Sequence, residues 1–268
     1  MYLYYIESYF KSQCVKNKAK FYQLVLLVPS LIALYTSTMR KIAAMMKDMI
    51  LGGQDGLVNV LAVVLGLAAA TTTTTTTSDV RIILGGGLAA AFGEWISMAA
   101  VAYTSTIAYV EYYESEKAHE HRSIDENPKE EIQEIRDIYT ARGFKGKLLD
   151  QIVKKITSDR DHWVEVMMME ELQLAPADKQ GALKSALVVG IAAFIGSLIP
   201  LSPFFFFDVR TSMIISIIFS AVVLFVAGAY KAKITVGSWV KSGVQLMLIG
   251  IVSALLGYGI AYLFSKFW

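Results

Sequence analysis

Two kinds of side chain in this sequence can handle a cation where water is scarce, carboxylates and thioethers. The segment WVEVMMMEELQL, residues 163–174, sets three consecutive methionines beside two consecutive glutamates. On a helix, Met167 and Met168 share a face with Glu171, which follows them by four and three residues. Glu116 and Glu120 lie four apart, and Glu131 and Glu134 three apart, with Asp137 extending the second row. Glu94 and Met98, again four apart, stand inside a long apolar run, and Asp55 stands in GGQDGL. Carboxylates alone suit Mg²⁺ or Ca²⁺, whereas carboxylates combined with sulfur suit a softer divalent transition metal.

Each feature by itself has a plainer reading. The glutamates could be a solvated face and the methionines core packing. Asp55 could cap a helix, and Glu94 could be a protonated carboxyl bonded to a hydroxyl. Their joint occurrence favours a metal-binding site made of acidic rows on two helices and a Met–Met–Glu face on a third. Asp55, Glu94 and Met98 then line a path through hydrocarbon, where a carboxylate is costly and usually functional.

The elements that must position these groups follow from the composition. Of 268 residues, 55% are hydrophobic and 18% charged, and the mean hydropathy is +0.48. Most charges fall in two blocks, 11–48 and 111–184, which marks a membrane protein with one polar insertion. The net charge is +2, and no basic face interleaved with aromatics suggests nucleic acid. The single cysteine, Cys14, rules out an intrachain disulfide and a cysteine-cluster metal site. The N-terminal charges and the apolar stretch after them show no small-residue cleavage site, so no ordinary signal peptide is expected.

Five stretches are long and apolar enough to span a bilayer: 56–77, 82–108, 182–201, 211–230 and 242–264. The seven threonines 71–77 are expected to end the first helix and lead into the turn SDVR. Lys and Arg crowd residues 40–48, the 109–181 block and 231–241, while the alternate turns carry one Arg each, which places the N-terminus and the block in the cytoplasm. The expected organisation is an N-terminal extension, 1–48, peripheral or interfacial, and transmembrane helices 1 and 2 in 49–108. A cytoplasmic helical metal-binding domain follows in 109–181, then transmembrane helices 3 to 5 in 182–268. The fold class is all-α integral membrane, five transmembrane helices with a three-helix domain inserted between the second and third. Within that domain, the first helix continues the second span, and a break is expected near residues 157–161.

The pattern DGLVNVLAVVLGL, then GLAAAFGEWISM, then a charged insert ending MMMEELQL, then GALKSALVVGIAAFIGSLIPLSPF resembles the vacuolar iron transporter family, which includes CCC1-like proteins. The resemblance covers about residues 50–264. It implies a homodimer that exports Fe²⁺ from the cytosol in exchange for protons, with Mn²⁺ and related metals such as Zn²⁺ or Co²⁺ as further substrates. By position, Asp55 and Met98 match its transmembrane path. Glu120, Glu116, Glu131, Glu134, Met167, Met168 and Glu171 match its cytoplasmic metal site. Two positions depart from it, Ala90 and Ser123, where further acidic residues are expected.

The expected protein is a transporter and not an enzyme. It has no prosthetic group, it deals with metal ions, protons and lipid, and it sits in a prokaryotic plasma membrane. A competing reading is a membrane-anchored, ferritin-like di-iron ferroxidase, because Glu116–His119 forms one Glu-x-x-His and Asp159–His162 nearly another. A third reading is a scaffold whose polar block binds another protein, which leaves Asp55 and Glu94 without a role.

Overall fold

In hydrocarbon a backbone must satisfy its own hydrogen bonds, so long apolar runs fold as helices. A computed structural model describes residues 18–71, 77–176, 179–234 and 237–267, and the described residues form eight α-helices and no strand. They are α1 (Lys18–Thr71), α2 (Thr77–Glu126), α3 (Pro128–Ala141), α4 (Gly146–Thr157), α5 (Arg160–Glu170), α6 (Lys179–Leu201), α7 (Val209–Ile234) and α8 (Trp239–Phe267). A short 3₁₀ turn, Ser202–Phe205, follows α6. Five segments are long and apolar enough to cross a membrane: Ile42–Ala70, Val80–Glu126, Lys179–Phe205, Val209–Lys233 and Trp239–Phe264.

The five expected spans are present, with two shifts in register. Among the described residues the first runs over Ile42–Ala70 and so is not confined to residues from 56 on; Asp55 lies well inside the helix and cannot be its cap. Lys47, Asp48 and Gln54 lower the local hydropathy and hide this earlier stretch from a composition-based reading. SDVR is the first turn of α2 and not a connecting turn. The expected role of the threonine run falls mainly on residues 72–76, outside the described residues. The N-terminal extension is helical from Lys18 and continuous with the first span; residues 1–17 lie outside the described residues.

α1 lies at the centre of the bundle, packed on α6, α8, α2 and α7. Its contact with α6 depends on glycine. A Cβ on Gly52 would overlap the carbonyl of Val189, and one on Gly56 would overlap that of Ala193 and crowd Ser197 Oγ. Gly52 and Gly56 are one helical turn apart, so two successive turns of α1 lie directly on the backbone of α6, as small-residue interfaces allow in lipid. Asp55 sits inside this tightly held segment.

Prolines interrupt the far end of α6, and serines repair the loss. Ser216 Oγ donates to the Pro200 carbonyl at 2.6 Å, Ser212 Oγ to that of Pro203 at 3.1 Å, and Ser202 Oγ to that of Ile199 at 2.8 Å. Ser212 and Ser216 are fully buried. Pro203 has no N–H to offer the Ile199 carbonyl, which Ser202 serves instead, and the hydroxyls of Ser212 and Ser216 find their own acceptors on the same turn where water is absent.

The polar block consists of the tail of α2 with α3, α4 and α5, so three separate helices pack against the extension of the second span. The break falls at Ser158–Asp159, as expected, and Asp159 caps α5 by accepting from the N–H groups of Asp161 and His162. The block has its own apolar core of Ile124, Ile135, Leu149, Val153, Ile156, Trp163, Val164, Met167 and Met168. Its two ends are tied together at Tyr109, whose hydroxyl donates to the Ala175 carbonyl at 2.8 Å and accepts from the Ala175 N–H at 3.1 Å.

Replacing Gly56 by Val should force α1 and α6 apart, an overpacking cost of about 1–3 kcal/mol or more. We expect a lower thermal midpoint and loss of the monodisperse peak in size-exclusion chromatography. Gly53→Ala should be tolerated, because its Cβ would meet the Ala192 carbonyl at an ordinary 3.6 Å.

Candidate functional site

Helix geometry places residues four apart on one face, and α1 uses this to present Asp55 and Asn59 together. Across from them, α2 presents Glu94, with Met98 one turn further on. Asn59 Nδ2 donates to Glu94 Oε1 at 3.2 Å, and the carboxyl of Asp55 lies within hydrogen-bonding reach of Glu94. Two neighbouring carboxyl groups disfavour each other's charged form, and a proton or a cation between them relieves that repulsion. Met98 is half-buried, as are Asp55 and Glu94, while Asn59 is exposed on the surface of the single chain. Phe92, Trp95 and Phe194 form a ring cluster at the same level, with centroids 5.1 to 6.0 Å apart.

The ion pairs seen between described residues lie in the polar block, and none of them joins Asp55 or Glu94 to a Lys or Arg. Asn59 was missed in the sequence reading, although its place one turn after Asp55 was the available signal. A neutral amide can donate one hydrogen bond to a carboxylate without a net charge and without blocking a cation.

The second group of candidates assembles on the polar block. Glu116 and Glu120 come from the tail of α2, Glu131 and Glu134 from α3, and Glu171 ends α5. Glu120 and Glu131 are buried, at 6% and 8% exposure, and both feel the negative charge of Glu134 and Glu171. α2 runs about 75 Å at 1.5 Å per residue, far more than the bilayer core, so its tail stands clear of hydrocarbon. Burial first, then the neighbouring carboxylates, pushes Glu120 and Glu131 up to about 7, and the same causes raise Glu171. His119 partly offsets this at Glu131. Glu131 Oε2 is buried with no hydrogen-bond partner in the protein.

The thioethers are placed otherwise than their spacing suggested. Met167 and Met168 are 0% and 1% exposed in the apolar core of the block, and Glu171 is exposed beyond the end of α5. Of the three consecutive methionines the exposed one is Met169, at 55%. The acidic cluster is therefore a set of carboxylates backed by sulfur-containing packing. No three His, Cys, Asp or Glu side chains among the described residues converge as a formed metal cage. His162 lies 3.7 Å from Glu165 and lines a different crevice, with Lys117 and Asp161, so the paired motifs of a di-iron centre are not brought together.

Five apolar helices with acidic groups inside the span, and a second acidic group hung beyond it, define a helical integral membrane protein with charge-bearing sites at two levels. A family profile described as the VIT family matches residues 46–262, and the chain belongs to that family. Among curated proteins, it is 29% identical over 216 residues to a vacuolar iron transporter 1 of Tulipa gesneriana, covering 80% of this chain and 85% of the relative. It is 29% identical over 228 residues to Protein CCC1 of Saccharomyces cerevisiae, covering 82% and 67% respectively. A vacuolar iron transporter of Plasmodium falciparum is 29% identical over 223 residues, with 80% of each chain covered.

The raised carboxyls predict a pH-dependent fold. In the unfolded chain Glu120 and Glu131 release their protons near the ordinary value of 4.5, whereas in the fold they hold them to about 7. Their protonation therefore stabilises the fold fully below about pH 4.5, and that contribution is lost as pH rises through 7. The thermal midpoint of the metal-free protein should fall between about pH 5 and 8 by calorimetry. Glu120→Gln with Glu131→Gln should flatten that slope.

Proposed function

We propose that the chain carries a divalent transition metal, Fe²⁺ foremost and Mn²⁺, Co²⁺ or Zn²⁺ as further substrates, out of the cytosol in exchange for protons. The observation that carries this reading is the meeting of Asp55, Asn59 and Glu94 near the middle of two spans, with a thioether one turn away. The relatives named vacuolar iron transporters support iron as the substrate.

Transport follows from ligand competition. A carboxylate binds metal when deprotonated and releases it when protonated, so one group can exchange one cation for the other. The cytosolic Glu116, Glu120, Glu131, Glu134 and Glu171 gather metal next to the membrane, where burial of Glu120 and Glu131 makes binding sensitive to pH. Met167 and Met168 take part by turning toward the cluster when metal arrives or, if they stay in place, by shaping its floor. The ion then passes to Asp55 and Glu94, with Met98 supplying softness, and protons from the far side displace it.

The path is completed by a second copy. Asn59 faces outward at mid-span, and an amide beside two carboxyls presented to lipid would be costly. A homodimer whose two such faces meet would enclose them around a shared axis. In this reading the 109–181 block is a domain on the cytosolic side. Two of the relatives carry the name vacuolar iron transporter, and the proposal commits to this orientation with a proton-rich compartment opposite.

Proteoliposomes loaded with a pH-sensitive dye test the scheme directly. Fe²⁺ uptake should move protons the other way, and Asp55→Asn or Glu94→Gln should reduce both fluxes to background. Glu120→Gln with Glu131→Gln should lower flux at limiting metal and recover at saturating metal. Undiminished Fe²⁺ flux in Asp55→Asn would remove that residue from the path. Metal-dependent oxygen consumption by the intact protein would favour the ferroxidase.

A further inference from the structure

The acidic cluster draws on α2, α3 and the end of α5. The remaining helix of the polar block, α4, supplies none of it and carries a charge pattern of its own. The path of the chain sets the height of α4 above the bilayer. Arg160, at the start of α5, donates to the His121 carbonyl at 2.9 Å and pairs with Asp125 at 2.5 Å, while Ala175, beyond the end of α5, meets Tyr109. α5 therefore runs back along the tail of α2 toward the membrane. Arg142 pairs with Glu170 at the low end of α5, and Arg136 pairs with Asp150 at 2.7 Å. The connection between α3 and α4 thus lies at the base of the block, and α4 rises from it away from the bilayer. Tyr103, Tyr109 and Tyr112 are exposed along this part of α2, and tyrosines so placed at the end of a span mark the headgroup belt.

The base of the block is basic where α4 begins. Residues 142–149, RGFKGKLL, hold three cations and no acid. Arg142 is occupied by Glu170, and the next acid along the chain, Asp150, by Arg136. Lys145 and Lys147 are exposed, and the ion pairs seen between described residues include neither. Beside them Leu148 is 54% exposed, although Leu149, Val153 and Ile156 of the same helix turn into the core. Each Cα–Cβ bond of a helix tilts toward its N-terminus, so Lys147 and Leu148, in the first turn of α4, lean toward the bilayer. Of the described acids at this level, Glu171 belongs to the acidic cluster. Glu111 and Glu114 are exposed on other faces of α2 than the one that turns Tyr109 and Tyr113 to the block. Two unpaired lysines flanking an exposed leucine, at headgroup height, match a surface of negative phosphates over hydrocarbon.

We infer that the start of α4, through Lys145, Lys147 and Leu148, docks on the anionic headgroup surface of the leaflet beside the polar block. The contact would rest the outer helix of the block on lipid and so hold the acidic cluster at a fixed height over the point where α2 leaves the span. The inference is independent of the transport reading, since it uses none of the metal-binding side chains and holds whichever side of the membrane the block occupies.

An apolar bimane fluorophore on Leu148→Cys, in a Cys14→Ser background of the full chain, tests it. The protein is placed in nanodiscs of phosphatidylglycerol with phosphatidylcholine, in nanodiscs of phosphatidylcholine alone, and in lipid-free detergent. Quenching by acrylamide, a neutral aqueous quencher, should be about threefold weaker in the anionic nanodiscs than in the other two, and high salt should abolish the difference. Lys145→Gln with Lys147→Gln should restore full quenching, since each lysine near an anionic surface shifts the docked fraction about fivefold. Lys154→Gln with Lys155→Gln should not, because those residues stand roughly 11 Å higher along α4, about a Debye length. Equal quenching in the two nanodiscs, or protection that persists without Lys145 and Lys147, would overturn the site. Equal protection in lipid-free detergent would do the same, because a protein surface and not lipid would then cover the patch. Each variant is first checked for an unaltered size-exclusion profile.

Discussion

A carboxylate in hydrocarbon must be neutralised, by a proton, a cation or an opposite charge, and the described ion pairs leave Asp55 and Glu94 without the last of these. Much of the membrane part of the structure can be understood from that constraint. The two groups come from different helices and meet only because α1 and α2 hold their facing turns at fixed rotation. Asn59 contributes a hydrogen bond without contributing charge. A fixed lysine at the same place would satisfy the carboxylates permanently and exclude any transferable cation, whereas an amide leaves the proton or metal free to leave.

Holding that meeting point requires stiff neighbours. Gly52 and Gly56 let two turns of α1 rest on the backbone of α6, so the helix carrying Asp55 has little freedom to rotate or slide. At the other end of α6, the serine hydroxyls of α7 take up the carbonyls near Pro200 and Pro203. Lipid supplies no hydrophobic driving force between helices, so close backbone approach and hydrogen bonds to freed carbonyls do this work instead.

The polar block meets the same electrostatic problem in a different solvent. Glu120 and Glu131 are buried in the acidic cluster and are pushed toward neutral pH, chiefly by loss of water and then by their neighbours. The block remains folded around such a cluster because an apolar core containing Met167 and Met168 lies behind it. Tyr109 and Ala175 close its base, which keeps the glutamates near the point where α2 leaves the span.

The sequence by itself determined the number of apolar helices, the place of the polar insertion, and the acidic residues that share a helical face, because hydropathy and the 3.6-residue period are local properties. It also exposed the resemblance to the family to which the chain belongs. Local properties could not place Asp55 at mid-span, since the polar residues Lys47, Asp48 and Gln54 masked an early helix start that packing on α6 sustains. Nor could they show that Met167 and Met168 point into a core while Glu171 does not, because one face of a helix meets different neighbours along its length. The pairing of Asp55 and Asn59 with Glu94 was decided by tertiary structure alone: residues 35 or more positions apart meet only when two helices fix each other's rotation.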